Sequence, residues 1–213
     1  MDRIAPSKDI RLEPRRAALV VIDIQNDFCH PDGVQGIRGR DLTSVGPAVA
    51  RLAALIESAR AHAVPVVFVR TLHDEATDTA NWLARNGDEV RPQSCHPGTW
   101  GAEFYEVQPD PSTDTIVTKT RYSAFVGTTL PQVLARLGRD SLLLAGVSTA
   151  VCVETTLRDA VCRDYLVSLV EDCSSAYGVE AHLRAVAAVE AGFGLVVSAE
   201  DVAQHWATMA AAV

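Results

Sequence analysis

Short β-branched runs alternate with longer Ala-, Leu- and Arg-rich segments from residue 17 almost to the end of the chain. This alternation limits the fold more than any other feature. The run 17–23 stays apolar until it meets Asp23, the pattern of a strand buried on both faces. Runs at 64–70, 115–118, 141–147, 165–170 and 195–197 predict further strands. Between the first two, Val49, Leu52, Ala53, Ile56 and Ala59 recur on one face of a helix over 44–62, capped by Ser44, with Pro47 in its first turn. Helices are also expected over 129–137, entered through Pro131 and ended near Gly138, and over 150–163, 179–191 and 199–212. Strands separated by such helices build right-handed βαβ units. The expected fold is therefore α/β: a three-layer α/β/α sandwich around a doubly wound, six-stranded, mainly parallel, Rossmann-like sheet, with residues 1–213 as a single domain. Only 71–114, rich in Pro, Gly, Asn and His, breaks the rhythm, and loops that long are usually functional or mobile.

Composition removes several classes of function. The net charge of −8 argues against a nucleic-acid partner, which would call for a basic face. The apolar runs 17–22, 141–147 and 166–170 fall far short of the ~20 residues needed to span a bilayer, so no membrane partner is expected. The opening MDRIAPSKDIRLEPRR is charged and has no apolar secretory stretch. Five cysteines without a CxxC pair suggest free thiols in a reducing, cytoplasmic compartment, one of them available for chemistry.

Ligands of open α/β sheets bind at the carboxyl ends of the strands. That places Asp23, Arg70, His73, Lys119 and the turn from Gly146 to Cys152 under scrutiny. Asp23 is either a helix cap or a site group, and the next expected helix starts only at 44, which makes capping a poor explanation. Lys119 closes TDTIVTK; it is either solvated or meets Asp23 across the crevice, each then holding the other charged. Cys152 lies in LLLAGVSTAVCVETTLRDA, where a strand gives way to a helix. Backbone N–H groups and the helix dipole there favour a thiolate and cradle an oxyanion, whereas a cysteine without such a role is a small buried hydrophobe. Cys162 falls late on a helix and Cys173 just after a strand, while Cys29 and Cys95 sit in loops beside His30 and His96. Adjacent residues rarely face one another, so neither dipeptide makes a dyad.

The stretches ALVVIDIQNDF, KTRYSAFVGTTL and LLLAGVSTAVCVETTLRDA together resemble the isochorismatase-like cysteine hydrolases. That family includes nicotinamidase, N-carbamoylsarcosine amidohydrolase, ureidoacrylate amidohydrolase and biuret hydrolase. The resemblance covers about residues 15–200, and RYSAF and CVETTLRDA look most like the ureidoacrylate and carbamoyl-amide branch. It implies a triad of Asp23, Lys119 and Cys152. Asp23 would take the thiol proton and later deliver it to the leaving amine, Lys119 would orient Asp23, and Cys152 would attack the carbonyl. It also implies a cis peptide between Val147 and Ser148, and an oxyanion hole formed by the turn that follows, with the N–H groups of Val151 and Cys152. The expected activity is cleavage of a C–N bond in a small amide, ureido or N-carbamoyl compound through a covalent cysteine intermediate. The alternatives are vinyl-ether hydrolysis of the isochorismatase type, whose enzymes typically lack the cysteine, and a metal-assisted amidase like nicotinamidase.

Nicotinamidases carry an Asp-x-His metal motif and a later His. The matching positions here are Thr71, Leu72 and His73, then Ser94, so only His73 remains, with Cys95 and His96 close by in sequence. Catalytic zinc usually takes three protein ligands, so neither metal nor organic cofactor is expected. Phe28 matches the position where relatives place an aromatic over the substrate. Gln25, Asn26, His73, Trp82, Trp100, Tyr122 and Phe125 are further pocket candidates, and Arg70 and Arg121 are candidates to hold a substrate carboxylate. The family also implies a homodimer or homotetramer.

Overall fold

Alternate residues of the first strand, β1 (Ala17–Ile22), enter two different cores: Ala17, Leu19 and Val21 one, Ala18, Val20 and Ile22 the other. A strand with two dry faces needs a helical layer on each side. The computed structural model of the protein describes residues 7–84 and 94–211. Its helices are α1 (Lys8–Leu12), the one-turn α2 (Asn26–Cys29) and α3 (Val34–Ile37), α4 (Val45–Ala61), α5 (Ala80–Ala84), α6 (Leu130–Leu137), α7 (Glu154–Val161), α8 (Val179–Gly192) and α9 (Ala199–Ala211). The remaining strands are β2 (Val66–Thr71), β3 (Thr115–Lys119), β4 (Ser141–Val147), β5 (Leu166–Ser175) and β6 (Leu195–Val197).

One layer packs Val49, Leu52 and Ile56 of α4 and Val202 and Trp206 of α9 against Leu19, Phe68 and Leu143. The other packs Leu130 and Leu134 of α6, Leu157 of α7 and Val189 of α8 against Val20, Val67 and Leu144. Each such side chain contributes about 1.5–3 kcal/mol when fully buried. Among the described residues, no helix is long and apolar enough to cross a membrane.

Every strand pair is parallel, in the order β3-β2-β1-β4-β5-β6. The winding reverses between β1 and β4, and a crevice opens there at their carboxyl ends. Gly146 makes this junction possible. It pairs with Ile22 at φ +132°, and a Cβ there would lie 2.1 Å from the Ile22 carbonyl oxygen.

The expected sandwich is present, with local corrections. The helix expected over 150–163 begins as a π-helical turn (Thr149–Val153) and becomes α-helical only at Glu154. β5 continues to Ser175 after a register shift opposite Leu144 and Gly146, so Cys173 lies inside a strand and in the core. Ser44 precedes α4, but its hydroxyl meets Ser175 Oγ at 2.7 Å and caps nothing. α2 starts three residues after Asp23, far earlier than 44, and brings Cys29 into a helix. A single turn is too short to declare itself by periodicity.

Gly146→Ala is expected to lower stability by about 2–4 kcal/mol through backbone collision and strain. Gly46→Ala in α4, where a Cβ meets nothing within 4 Å, should stay within about 1 kcal/mol of the parent. Equilibrium urea denaturation of both variants checks the contrast.

Candidate active site

Three neighbouring strands finish on polar side chains at one edge of the sheet. Asp23 stands just beyond β1, Thr71 is the last residue of β2, and Lys119 is the last of β3. The parallel register sets Thr71 beside Lys119, and the Asp23 amide donates to Val69 O at 2.8 Å. Asp23 adopts φ +54°, a left-handed conformation that aspartate tolerates better than most residues. Lys119 Nζ lies 2.8 Å from Asp23 Oδ2, and both side chains are 1% exposed. The ammonium also donates to Thr71 Oγ1 at 2.7 Å and to Arg121 O at 3.0 Å. The Thr71 hydroxyl donates in turn to Asp23 Oδ1 at 2.9 Å. Burial pulls the Lys119 pKa down, but Asp23 and then Cys152 more than offset it, so the ammonium titrates above its ordinary value.

Cys152 reaches this pair from the other side of the crevice. β4 ends at Val147, the Val147–Ser148 peptide is cis, and the π-helical turn carries the thiol to 3.5 Å from Lys119 Nζ. Cys152 is half-buried; Cys29, Cys95 and Cys173 are buried and Cys162 is exposed. Burial, and after it the Asp23 carboxylate, pushes the Cys152 thiol up to about 12, with Lys119 acting in the opposite direction. The resting group is thus a neutral thiol, not the thiolate expected from the helix start: burial and the carboxylate outweigh Lys119. A second correction concerns Val151. Its N–H donates to Ser148 O at 3.0 Å, so it is committed within the turn and is not available as an oxyanion donor.

A cavity of about 230 Å³ opens over these groups, with Asp23, Lys119, Val147, Ser148, Val151 and Cys152 all on its lining. Phe28, His73, Trp82 and Tyr122 stand in its wall. His73 Nδ1 lies 2.8 Å from Asp78 Oδ1, and its ring stacks on Trp82 with centroids 5.7 Å apart. Trp82 meets Tyr122 at 5.0 Å and carries the Arg121 guanidinium 4.7 Å above its ring. Arg121 also donates to Thr120 O and Thr77 O, which makes it part of the wall's own scaffold.

Five expected pocket residues lie elsewhere: Gln25, Asn26, Arg70, Trp100 and Phe125. Gln25 is fully buried: its Nε2 donates to Thr71 O and Ala102 O, and its Oε1 accepts from Thr71 N. It is a strut beneath the site. Arg70 points the opposite way from Thr71, donates to Thr118 Oγ1 and lines a separate surface cleft. Phe125 belongs to the second core, beside Tyr165 and under Arg163. Trp100, half exposed, packs edge-on against His30, and Asn26 donates to Trp100 O.

Gln35, Arg38, Arg40 and Tyr177 also line the cavity, and none of them is among the residues expected from sequence. Tyr177 donates its hydroxyl to Phe28 O at 3.2 Å, and burial raises its phenol well above the ordinary range. It follows the true end of β5, so the strand-end rule would have found it had that end been placed correctly. Arg38 and Arg40 follow α3 in GIRGR, where a charge pair among glycines was the available signal. Together with Lys119 and Arg121 they give the described lining four cations against the one carboxylate of Asp23.

The donors near His73 do not fit a metal. Cys95 is fully buried with its thiol 3.8 Å from Gly101 O, His96 is exposed against Pro97 O, and Thr71 and Ser94 supply only hydroxyls. No group of three or more His, Cys, Asp or Glu side chains positioned to hold a metal occurs among the described residues.

Comparison with known proteins shows the family. Residues 17–201 match the isochorismatase domain. The ureidoacrylate amidohydrolase RutB of Methylobacterium radiotolerans is 33% identical over 207 residues, which cover 90% of this chain and 80% of that protein. The crystal structure of a cysteine hydrolase from Pseudomonas syringae pv. phaseolicola superposes with a TM-score of 0.80 at 28% identity, covering 93% of this chain and 95% of that one. N-carbamoylsarcosine amidase from Thermoplasma acidophilum gives a TM-score of 0.70 at 26% identity, with 86% and 96% covered.

The raised thiol pKa has a measurable sign. Near neutrality almost all Cys152 is protonated, so its alkylation by iodoacetamide should be slow and should climb with pH toward about 12. Asp23→Asn removes a group that raises the thiol, so its alkylation profile should move to lower pH. Peptide mapping by mass spectrometry separates Cys152 from the exposed Cys162.

Proposed function

We propose a reaction for this chain from one premise: it belongs to the isochorismatase family. The proposed activity is a cysteine-dependent amidohydrolase that opens a C–N bond of a small ureido or N-carbamoyl compound, with a carboxylated ureido acid as the preferred substrate. One observation carries the reading: a thiol stands beside a buried Asp–Lys ion pair on the floor of a cavity rich in arginine. The similarity to ureidoacrylate amidohydrolases and to an N-carbamoylsarcosine amidase points to the same class of bond.

In the proposed cycle the substrate carbonyl displaces water over Cys152. The thiol proton passes to Asp23 as Sγ bonds to the carbonyl carbon, so a free thiolate is never required at rest. The Cys152 N–H, the remaining member of the expected donor pair, faces the developing oxyanion, and Lys119 stays protonated and adds positive charge nearby. Asp23 then gives its proton to the leaving nitrogen and the C–N bond breaks. This leaves an S-carbamoyl or thioester group on Cys152. Water attacks that group, Asp23 takes the water proton, and the sulfur leaves and recovers a proton as the free thiol. Arg38 and Arg40 bind the substrate carboxylate, a contact for which Arg70 and Arg121 were the candidates in sequence.

Ammonia release from ureidoacrylate, N-carbamoyl amino acids, uncharged ureides and isochorismate tests this reading. Turnover is expected on the ureido acids, and Cys152→Ala should lower kcat/KM by about 10³-fold or more. Arg38→Ala and Arg40→Ala should raise KM for carboxylated ureides about tenfold and leave uncharged ureides unchanged. Product formed from isochorismate without ammonia would replace the amidase reading with ether hydrolysis.

A further inference from the structure

We infer that Thr71 is a positioning residue for the chemistry proposed above, on which the inference rests: its single hydroxyl joins the acid and the base beneath Cys152. The topology gives it this place. β1 and β3 are not neighbours; β2 runs between them, so their axes stand about 9–10 Å apart. Asp23 and Lys119 can pair only by reaching across the end of β2, where the Thr71 side chain lies between them, 3% exposed.

The proton count fixes the direction of its bonds. A hydroxyl has one hydrogen, and Lys119 has only donors. Thr71 Oγ1 therefore accepts from Lys119 Nζ at 2.7 Å and gives its own hydrogen to Asp23 Oδ1 at 2.9 Å. Asp23 is held at Oδ1 by the Thr71 hydrogen bond, while Oδ2 makes no hydrogen bond among the described residues and meets Lys119 only as an ion-pair contact at 2.8 Å, so the Thr71 hydroxyl is what fixes the carboxyl rotation. The Thr71 backbone is clamped as well: Gln25 accepts from its N–H at 2.7 Å and donates to its carbonyl at 2.9 Å. Gln25, Thr71 and Asp23 thus form one buried chain of hydrogen bonds that aims the carboxylate at the thiol. Valine has the same shape as threonine and fills the same space, but it neither accepts from Lys119 nor donates to Asp23.

The test uses p-nitrophenyl acetate as a small activated acyl donor and follows the burst of p-nitrophenolate that accompanies acylation of Cys152. Thr71→Val should slow the burst rate constant about tenfold to a hundredfold at an unchanged half-saturation concentration, because orientation and not binding is lost. Thr71→Ser, which keeps the hydroxyl, should restore the rate to within about threefold of the parent, a rescue that mere packing would not produce. Should Thr71→Val lose its near-UV circular dichroism, Thr71→Ala takes its place in the comparison. A valine variant as fast as the parent, or a serine variant as slow as the valine one, overturns the role of Thr71. A burst that disappears in Cys152→Ala while Thr71→Val is unaffected overturns only this inference. A burst that survives in Cys152→Ala removes the cysteine reading and the inference with it.

Discussion

The ion pair between Lys119 and Asp23 is the constraint around which this end of the molecule is organised. Two opposite charges at 1% exposure are tolerated only if every strong donor and acceptor finds a partner. The surroundings meet most of that demand from several elements, Thr71 from β2, the Arg121 carbonyl from the segment after β3, and Cys152 from the turn after β4, while Asp23 Oδ2 has, among the described residues, only the Lys119 charge at 2.8 Å to offset its burial. Removing either charge would strand the other in a nearly dry site, a loss of about 3–5 kcal/mol. The same enclosure that makes the pair costly keeps a base and a cation in fixed register below the thiol.

The sheet supplies the geometry. β1 and β4 lie side by side at the point where the winding reverses, and Gly146 lets their backbones approach closely enough for Asp23 and the cysteine turn to face one crevice. The two cores on either side hold these strands rigid, whereas much of the cavity wall comes from the connections after β1 and β2. The Asp23, Lys119 and Cys152 cluster and much of the cavity wall therefore rest on different parts of the chain.

Much of this was legible in sequence, for physical reasons. Asp23 stood out because it closes an apolar strand far from any expected helix, Lys119 because it too closes a strand of the sheet although a solvated reading stayed open, and Cys152 because a strand, a small-residue turn and a helix meet at it; the resemblance joined the three as a triad. What escaped was mostly parity and length. Ending the second strand at 70 and not at Thr71 turned the wrong side chain toward the site, since neighbouring residues on a strand face opposite ways. Ending the fifth at 170, before Glu171 and Asp172, hid Cys173 in a supposed loop and left Tyr177 unnoticed. Gln25 and Phe125 are close in sequence to the site, but neither lines the cavity as expected. Whether a nearby side chain lines a cavity or braces it depends on long-range contacts, Gln25 with Thr71 and Ala102, Phe125 with Tyr165.

The neutral state of Cys152 has a consequence for the life of the protein outside its reaction cycle. Peroxide and other oxidants attack sulfur as the thiolate, and the irreversible steps to sulfinic and sulfonic acid begin there. If Cys152 acts as proposed and loses its proton only when a carbonyl group sits over it, it stays off that ladder until substrate binds. In the proposed cycle, the carboxylate that takes the thiol proton during turnover is, after burial, also what raises the thiol between turnovers, so one group serves both activation and protection from oxidants.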